Sequence, residues 1–372
     1  MPSFLGIRFN ALLFTQLLHS SPSIPSPSIS ALVVLAPLCA AIVVLLSIPF
    51  INRIARRWNQ VDHPSHRKVH QRPMVRLGGI AIALGTFIGF CTSLWSQSIP
   101  FTELPTPLWG IIAGGASFFI IGLTDDLFSL SAFHRLWMQS AIALMVWALD
   151  IRIDFISIPN VGIIQLDWLS LPITILWLTG VVNAINWIDG LDGLAAGVSS
   201  ITATVMLIIS LQTGQPFMVM MLLPLIGSLV GFLYYNFNPA TIFMGDGGSY
   251  LIGFLLASVS IIGLTKTATA TAIALPMLVL AVPLADMSAV IVVRLWHGQS
   301  PFKADRRHLH HRLLSIGIPH RMTVLLIYAL TAWASSFALM LVSPLTGSIA
   351  VAIATCCLLP LTWHAYQNRC PV

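Results

Sequence analysis

Eleven stretches of this chain approach the roughly 20 apolar residues that a helix needs to cross a bilayer. They fall at about 31–51, 77–96, 107–124, 136–150, 169–185, 194–211, 217–235, 249–265, 271–295, 322–342 and 347–363. Several are short or broken by Pro and Gly, so the pattern predicts ten or eleven spans. Lipid offers no partner to a backbone N–H or C=O, so such runs must be helices. The expected fold is therefore all-α, a polytopic transmembrane bundle. With 57% hydrophobic and 8% charged residues among 372, a soluble domain of this size is excluded. The longest polar connection runs only from Trp296 to Arg321, too short for a separate domain. Residues 1–30, with Arg8 and "SSPSIPSPS", read as an N-terminal extension. Residues 31–364 read as one transmembrane domain, and 365–372 as a short tail. Cys39, Cys91, Cys356, Cys357 and Cys370 lack metal-ligand spacing and read as small buried side chains.

Letting the connections alternate sides sorts the charges. Fifteen of the 18 Lys and Arg fall on one side: Arg53, Arg56, Arg57, Arg67, Lys68, Arg72, Arg76, Arg135, Arg294, Lys303, Arg306, Arg307, Arg312, Arg321 and Arg369. Positive charge stays cytoplasmic, so the net charge of +6 is a topology signal. A nucleic-acid surface is the weaker reading, because base-stacking aromatics are not interleaved with the charges. Eight of the 12 acids (Asp62, Asp125, Asp126, Asp189, Asp192, Asp246, Asp286 and Asp305) lie on the same side or, for Asp286, inside a span. The other side carries "IRIDFISIPNVGIIQLDWLSLP", whose Pro159-Asn160 and Gly162 predict a short external β-hairpin.

The acids sit in motifs. In "NAINWIDGLDGLAAG" (Asn183–Gly197), steps of three drift back about 60° each around a helix. Asn183, Asn186, Asp189 and Asp192 therefore serve one ligand only if the helix breaks, as Gly190 and Gly193 permit; the plainer reading makes Asp192 a cap for the helix at Leu194. "GLTDD" ends a span with Asp125 and Asp126 pointing about 100° apart. Two acids at a helix C-terminus oppose its dipole and call for a compensating cation. In "NFNPATIFMGDGGSYLIGF", glycines flank Asp246, a hard-cation ligand, and Ser249 opens a helix whose amides favour anions. "SPFKADRRHLHHRLLSIG" gathers Arg306, Arg307, His308, His310 and His311, suited to pyrophosphate through charge-assisted bonds. At helical spacing, His308 and His311 share a face and His310 points elsewhere. "DHPSHRKVHQRPMVRLGG", containing Lys68, suits lipid headgroups. Asp286, ionisable within a span, is a functional candidate with Arg294 as a partner.

Together "GLTDD", "NAINWIDGLDGLAAG", "NFNPATIFMGDGGS" and "DRRHLHHRLL" resemble the polyprenyl-phosphate N-acetylhexosamine-1-phosphate transferases, glycosyl transferase family four, from about Asp62 to Gly317. The His-x-His-His arrangement and "RLGG" at Arg76–Gly79 are similar to the N-acetylglucosamine-1-phosphate branch, which starts O-antigen, enterobacterial common antigen or wall teichoic acid. The phospho-N-acetylmuramoyl-pentapeptide branch has three consecutive histidines, missing here. The resemblance implies a multi-pass enzyme of the cell membrane. It would move a sugar-1-phosphate from a UDP-N-acetylhexosamine to undecaprenyl or another polyprenyl phosphate at the cytoplasmic face, releasing UMP. It also implies Mg²⁺, or Mn²⁺ in its place, and admits a homodimer. By motif position Asp246 resembles the principal metal ligand, with Asp189 beside it. Asp125, Asp126 and Asp189 match the catalytic acids, while Asp192 and Phe243 match uracil contacts. Asn183 and Asn186 lie where the family surrounds metal and diphosphate. His308, His310, His311, Arg306, Arg307 and Lys68 match substrate-binding loops. A transporter, the rival from another class, would need acids near the bilayer midplane and an inverted repeat; the chain has only Asp286 there and no repeat.

Overall fold

The computed structural model describes residues 32–58, 73–158, 162–264, 274–300 and 307–367. The extension at 1–30, Lys68, Arg306 and the Pro159-Asn160 turn lie outside the described residues. Each of the eleven apolar runs is helical over most of its described length. In chain order the helices are α1 (Leu32–Arg57), α2 (Gly78–Ser96), α3 (Thr106–Phe128), α4 (Ala132–Ala148), α5 (Ser170–Ile188), α6 (Leu194–Gln212), α7 (Pro216–Asn236), α8 (Gly245–Val259), α9 (Ala274–Val279), α10 (Ala281–Trp296), α11 (Leu309–Ser315), α12 (His320–Val342) and α13 (Pro344–Gln367). A π-helical turn at Ser260–Leu264 extends α8. Among the described residues nine helices are each long and apolar enough to cross a membrane. The other two runs are the 17-residue α4 and the pair α9 and α10, parted at Leu280. The chain is a multi-pass membrane protein.

The break between α9 and α10 has a local cause. Pro283 has no N–H to give the carbonyl of Val279 four residues back. Thr202 Oγ1 on α6 and Ser335 Oγ on α12 donate to that carbonyl instead, at 3.4 and 3.2 Å. The expected hairpin is present: β1 (Phe155–Ile158) pairs antiparallel with β2 (Gly162–Gln165), Phe155 opposite Gln165.

At the centre stands α8, packed against α2, α3 and α5. Small residues permit the approach, as is usual where helices meet in lipid. A Cβ at Gly253 would come within 2.7 Å of the Val182 Cα, and Phe254 stacks on Phe118 with centroids 4.9 Å apart. Helices α1, α2 and α7 pack together on one flank, and α6, α12 and α13 extend the other. The described cysteines depart from expectation: Cys356 and Cys357 are exposed and Cys39 and Cys91 half-buried. A thiol facing acyl chains needs no protein around it, so apolar sequence context does not imply burial in a span.

Candidate functional site

Every residue of α8 is buried except Asp246. The helix begins at Gly245, four residues before the expected start at Ser249, because Gly245 takes a φ of +77° that admits the turn. Its first amides are not open to a phosphate. The N–H groups of Asp246 and Gly247 donate to Asp126 Oδ1 and Oδ2 at 2.9 and 3.0 Å. The α8 N-terminus thus holds a carboxylate of the protein itself, favourable to its dipole.

Asp126 can reach α8 because backbones touch. A Cβ at Gly122 would strike the carbonyl of Asp246, and one at Gly79 the amide of Gly248. The Gly78 and Gly79 amides donate to the carbonyls of Phe243 and Met244 at 2.9 and 2.7 Å, and Phe243 donates back to Val75 at 2.8 Å. This lacing carries Arg76 to the acids: its guanidinium lies 3.8 Å from Asp126 and 3.9 Å from Asp246. Sequence reasoning gave Arg76 no role in the site. The signal was "RLGG", whose glycines must meet α8 and so fix where the arginine stands.

The adjacent acids do have separate jobs. Asp125, with its side chain 4% exposed, pairs with Arg135 at 2.7 Å and accepts the Leu130 amide at 2.7 Å. It closes the α3–α4 turn, and Arg135 is the cation that the acidic helix end demanded.

The "NAINWIDGLDG" helix breaks as anticipated. α5 stops at Ile188, Asp189 leaves helical geometry with ψ of 53°, and Gly193, at φ +80°, begins α6. The four polar residues then diverge. Asn186 Nδ2 donates to Asp246 Oδ1 at 2.7 Å and to Ser249 Oγ at 3.0 Å. Asn183 turns away, giving its amide to Gln139 on α4 and to the Thr179 carbonyl, each at 2.7 Å. Asp192 makes no cap on α6. Its Oδ2 accepts from Asn238 Nδ2 and the Ala240 amide, both at 3.0 Å, which holds the α7–α8 loop beside the site. Asn236, unremarked in the sequence, joins the same loops by accepting from the Gly193 amide at 3.0 Å and donating to the Ile242 carbonyl at 2.9 Å. Phe243 is half-buried next to this loop.

Burial pushes Asp189 up to about 7, Arg76 opposing and the carboxylates of Asp246, Asp126 and Asp192 reinforcing the rise. Four acids, Asp126, Asp189, Asp192 and Asp246, thus gather around the one guanidinium of Arg76, an excess of acidic groups.

The histidine loop completes the site differently from expectation. His308 precedes α11 in extended conformation, so its ring is parallel to His310 at 5.7 Å and 9° instead of sharing a face with His311. His310 meets His311 at 4.3 Å and packs on Gly190, where any Cβ would collide with it. Among the described residues neither ring nitrogen of buried His310 finds a hydrogen-bond partner. Burial, helped by His311 and His308, pushes His310 down to about 3, so it is neutral at pH 7 and gives no charge-assisted bond. Asp286 bonds to His308 and to the Leu309 amide. Arg294, expected beside it, lies 6.0 Å over the Trp187 ring. Arg307 is exposed at the mouth of the loop.

Among the described residues no three His, Cys, Asp or Glu side chains converge as a ready metal cage. Mg²⁺ does not require one, since it keeps water and takes one or two carboxylates with substrate phosphate. Hard oxygen donors with surplus negative charge fit that ion; the imidazoles face each other and Gly190.

A family model described as glycosyl transferase family 4 matches residues 108–264. A Bacillus subtilis protein named "Probable undecaprenyl-phosphate N-acetylglucosaminyl 1-phosphate transferase" is 38% identical over 80% of this chain and 81% of its own. A decaprenyl-phosphate N-acetylglucosaminephosphotransferase of Mycobacterium leprae is 36% identical over 79% and 80%. An undecaprenyl-phosphate alpha-N-acetylglucosaminyl 1-phosphate transferase of Yersinia pestis is 27% identical over 76% and 78%.

Proposed function

Since this chain belongs to glycosyl transferase family 4, we propose that it transfers N-acetylglucosamine 1-phosphate from UDP-N-acetylglucosamine to a polyprenyl phosphate, releasing UMP at the cytoplasmic face. One observation carries the reading. The sole unburied residue of the central helix, Asp246, stands where Asn186, Asp126 and Arg76 converge from three other segments. The relatives' shared N-acetylglucosamine specificity favours that sugar over the muramoyl-pentapeptide alternative.

The reaction forms a bond from a lipid-phosphate oxygen to the β-phosphorus and breaks that phosphorus's bond to the α-phosphate, so UMP leaves with the electron pair. The attacking oxygen is already anionic near neutral pH and needs no strong base. Catalysis is then positioning and charge stabilisation. Direct displacement is supported by the state of the acidic pair: Asp125 and Asp126 each have both oxygens engaged by protein donors, so neither of these two is idle as a nucleophile. Asp246 and Asp189 would hold a Mg²⁺ ion. When bound, it would neutralise charge on the diphosphate. Arg76, beside Asp126 and Asp246, also offsets charge there. Asp192 and Phe243 flank the nucleotide, and His308, His310 and His311 the sugar. Asn183 and Asp125 act through α4, holding α5 and α3 in place. Asp286, the acid on which a transporter reading would rest, is tied to the histidine loop.

The test incubates purified protein with undecaprenyl phosphate, Mg²⁺ and, separately, UDP-N-acetylglucosamine, UDP-N-acetylgalactosamine and UDP-N-acetylmuramoyl-pentapeptide. UMP release with the first donor alone is the expected result. Release with none of the three would overturn the reading.

A further inference from the structure

We propose that Asp286 is a positioning residue that fixes the tautomer of His308, and so assigns His308 to the donor groups of the sugar in place of its phosphates. The inference rests on the transferase reading of the site and adds a residue and a division of labour to it.

Asp286 lies on α10, yet both its oxygens serve the histidine loop. Oδ1 accepts the Leu309 amide at 2.7 Å, and Oδ2 lies 2.9 Å from His308 Nδ1. Both side chains are nearly enclosed, at 7% and 10% exposed, so water competes little for the contact. One carboxylate thus clamps the first amide of α11 and the ring just before it. An ionised carboxylate only accepts, so the proton between the two sits on Nδ1. Neutral imidazole has one N–H, and Nε2 is left with a lone pair.

A lone pair has no use for a phosphate oxygen, which is itself an acceptor. It does suit a hydroxyl or the acetamido N–H of an N-acetylhexosamine. Packing holds the ring where such a contact is useful. His308 meets Trp187 edge-on at 5.6 Å and lies parallel to His310, which rests on Gly190 beside Asp189. Trp187 follows Asn186, the partner of Asp246. The carboxylate of α10 is thereby linked through His308 to Trp187 at the end of α5 and, by way of His310, to the turn at Gly190, without touching the acidic centre.

Asp286→Asn separates the two clamps. The carboxamide oxygen still accepts from Leu309, but its NH₂ now faces Nδ1, so His308 becomes protonated on Nε2 and loses its acceptor. The expected loss in kcat/KM for UDP-N-acetylglucosamine is about 10- to 100-fold, the range seen when the group orienting a functional imidazole is removed. KM for polyprenyl phosphate stays unchanged. In a His308→Ala background the Asp286→Asn change costs nothing more, because its only route is gone. Unaltered kcat/KM in Asp286→Asn, or losses that multiply in the double variant, would overturn the proposal. Nitrogen-15 spectra of histidine-labelled wild-type protein, with His308→Ala to assign the signal, read the tautomer directly. Protonation at Nδ1 alone is expected, and a His308 protonated at Nε2, with or without Nδ1, refutes the inference even if the variants fail to fold. Because that spectrum needs no turnover, an inactive wild type would sink the transferase reading while the nitrogen-15 signal still decides the tautomer.

Discussion

At the scale of single residues, Asp126 and Asp246 are both acids at one helix end and do different work. Asp126 accepts two amides and caps α8, whereas Asp246 has one oxygen on Asn186 and remains partly open. Asp246→Asn should therefore remove about two to three orders of magnitude from kcat while leaving thermal unfolding in detergent unchanged. Asp126→Ala should instead lower the unfolding temperature, by the ~1 kcal/mol typical of a lost cap, as well as activity. Equal unfolding shifts in the two variants would refute this division. His310 gives a pH prediction. Its folded pKa of about 3 lies below the ordinary 6.5, so the unfolded chain binds the proton first and stability falls as pH drops from about 6.5 towards 3. His310→Phe should flatten that slope in a melting-temperature series. Asp246 was legible in the sequence because glycines on both sides of an acid have few uses. Arg76 was not, since an arginine in a basic loop looks like any topogenic charge until Gly79 is seen against Gly248. Asn183 was misjudged because its partner, Gln139, is 44 positions away on another helix.

At the scale of elements, apolar runs predicted helices well because lipid allows nothing else. How those helices meet was not readable, since in lipid the contact is set by small residues and the apolar pattern runs all round. α8 shows this: its sequence resembles any span, yet it alone is enclosed by α2, α3 and α5. The Gly79–Gly248 contact should be intolerant of one methyl group. Gly79→Ala forces apart the backbones that place Arg76 and Asp126 at α8, and should cost ~1–3 kcal/mol, as overpacking does. It should also lower activity more than Gly180→Ala, where a Cβ meets nothing within 4 Å; equal effects on unfolding temperature would argue against the contact. The α9–α10 break makes a similar point. Pro283 was visible, but the two hydroxyls that satisfy Val279 come from α6 and α12. Combining Thr202→Val with Ser335→Ala should destabilise by ~1–3 kcal/mol, the cost of an orphaned buried carbonyl, with neither single change reaching that value.

At the scale of the molecule, the ends of α3 and α5 and the starts of α2, α6 and α8 share one face, and the histidine loop closes over it. Helices crossing in alternation can meet this way only if all the connections involved lie on one side of the membrane. The basic residues described there, among them Arg53, Arg56, Arg57, Arg76, Arg135, Arg312 and Arg321, support by the charge rule the proposal that this side is the cytoplasmic one. On that proposal the β-hairpin and the α2–α3 connection belong outside. Two exposed serines sample the two faces: Ser98 between α2 and α3, and Ser129 between α3 and α4. With the five native cysteines replaced, Ser98→Cys should react in intact cells with a membrane-impermeant maleimide. Ser129→Cys should react only after permeabilisation. The span between them, α3, carries Asp125 and Asp126 within its last turn, so the labelling of Ser129 reports the side on which the acidic centre works. Labelling of Ser129→Cys from outside would place the centre away from cytoplasmic nucleotide sugars, and the proposed reaction would then lack access to its donor.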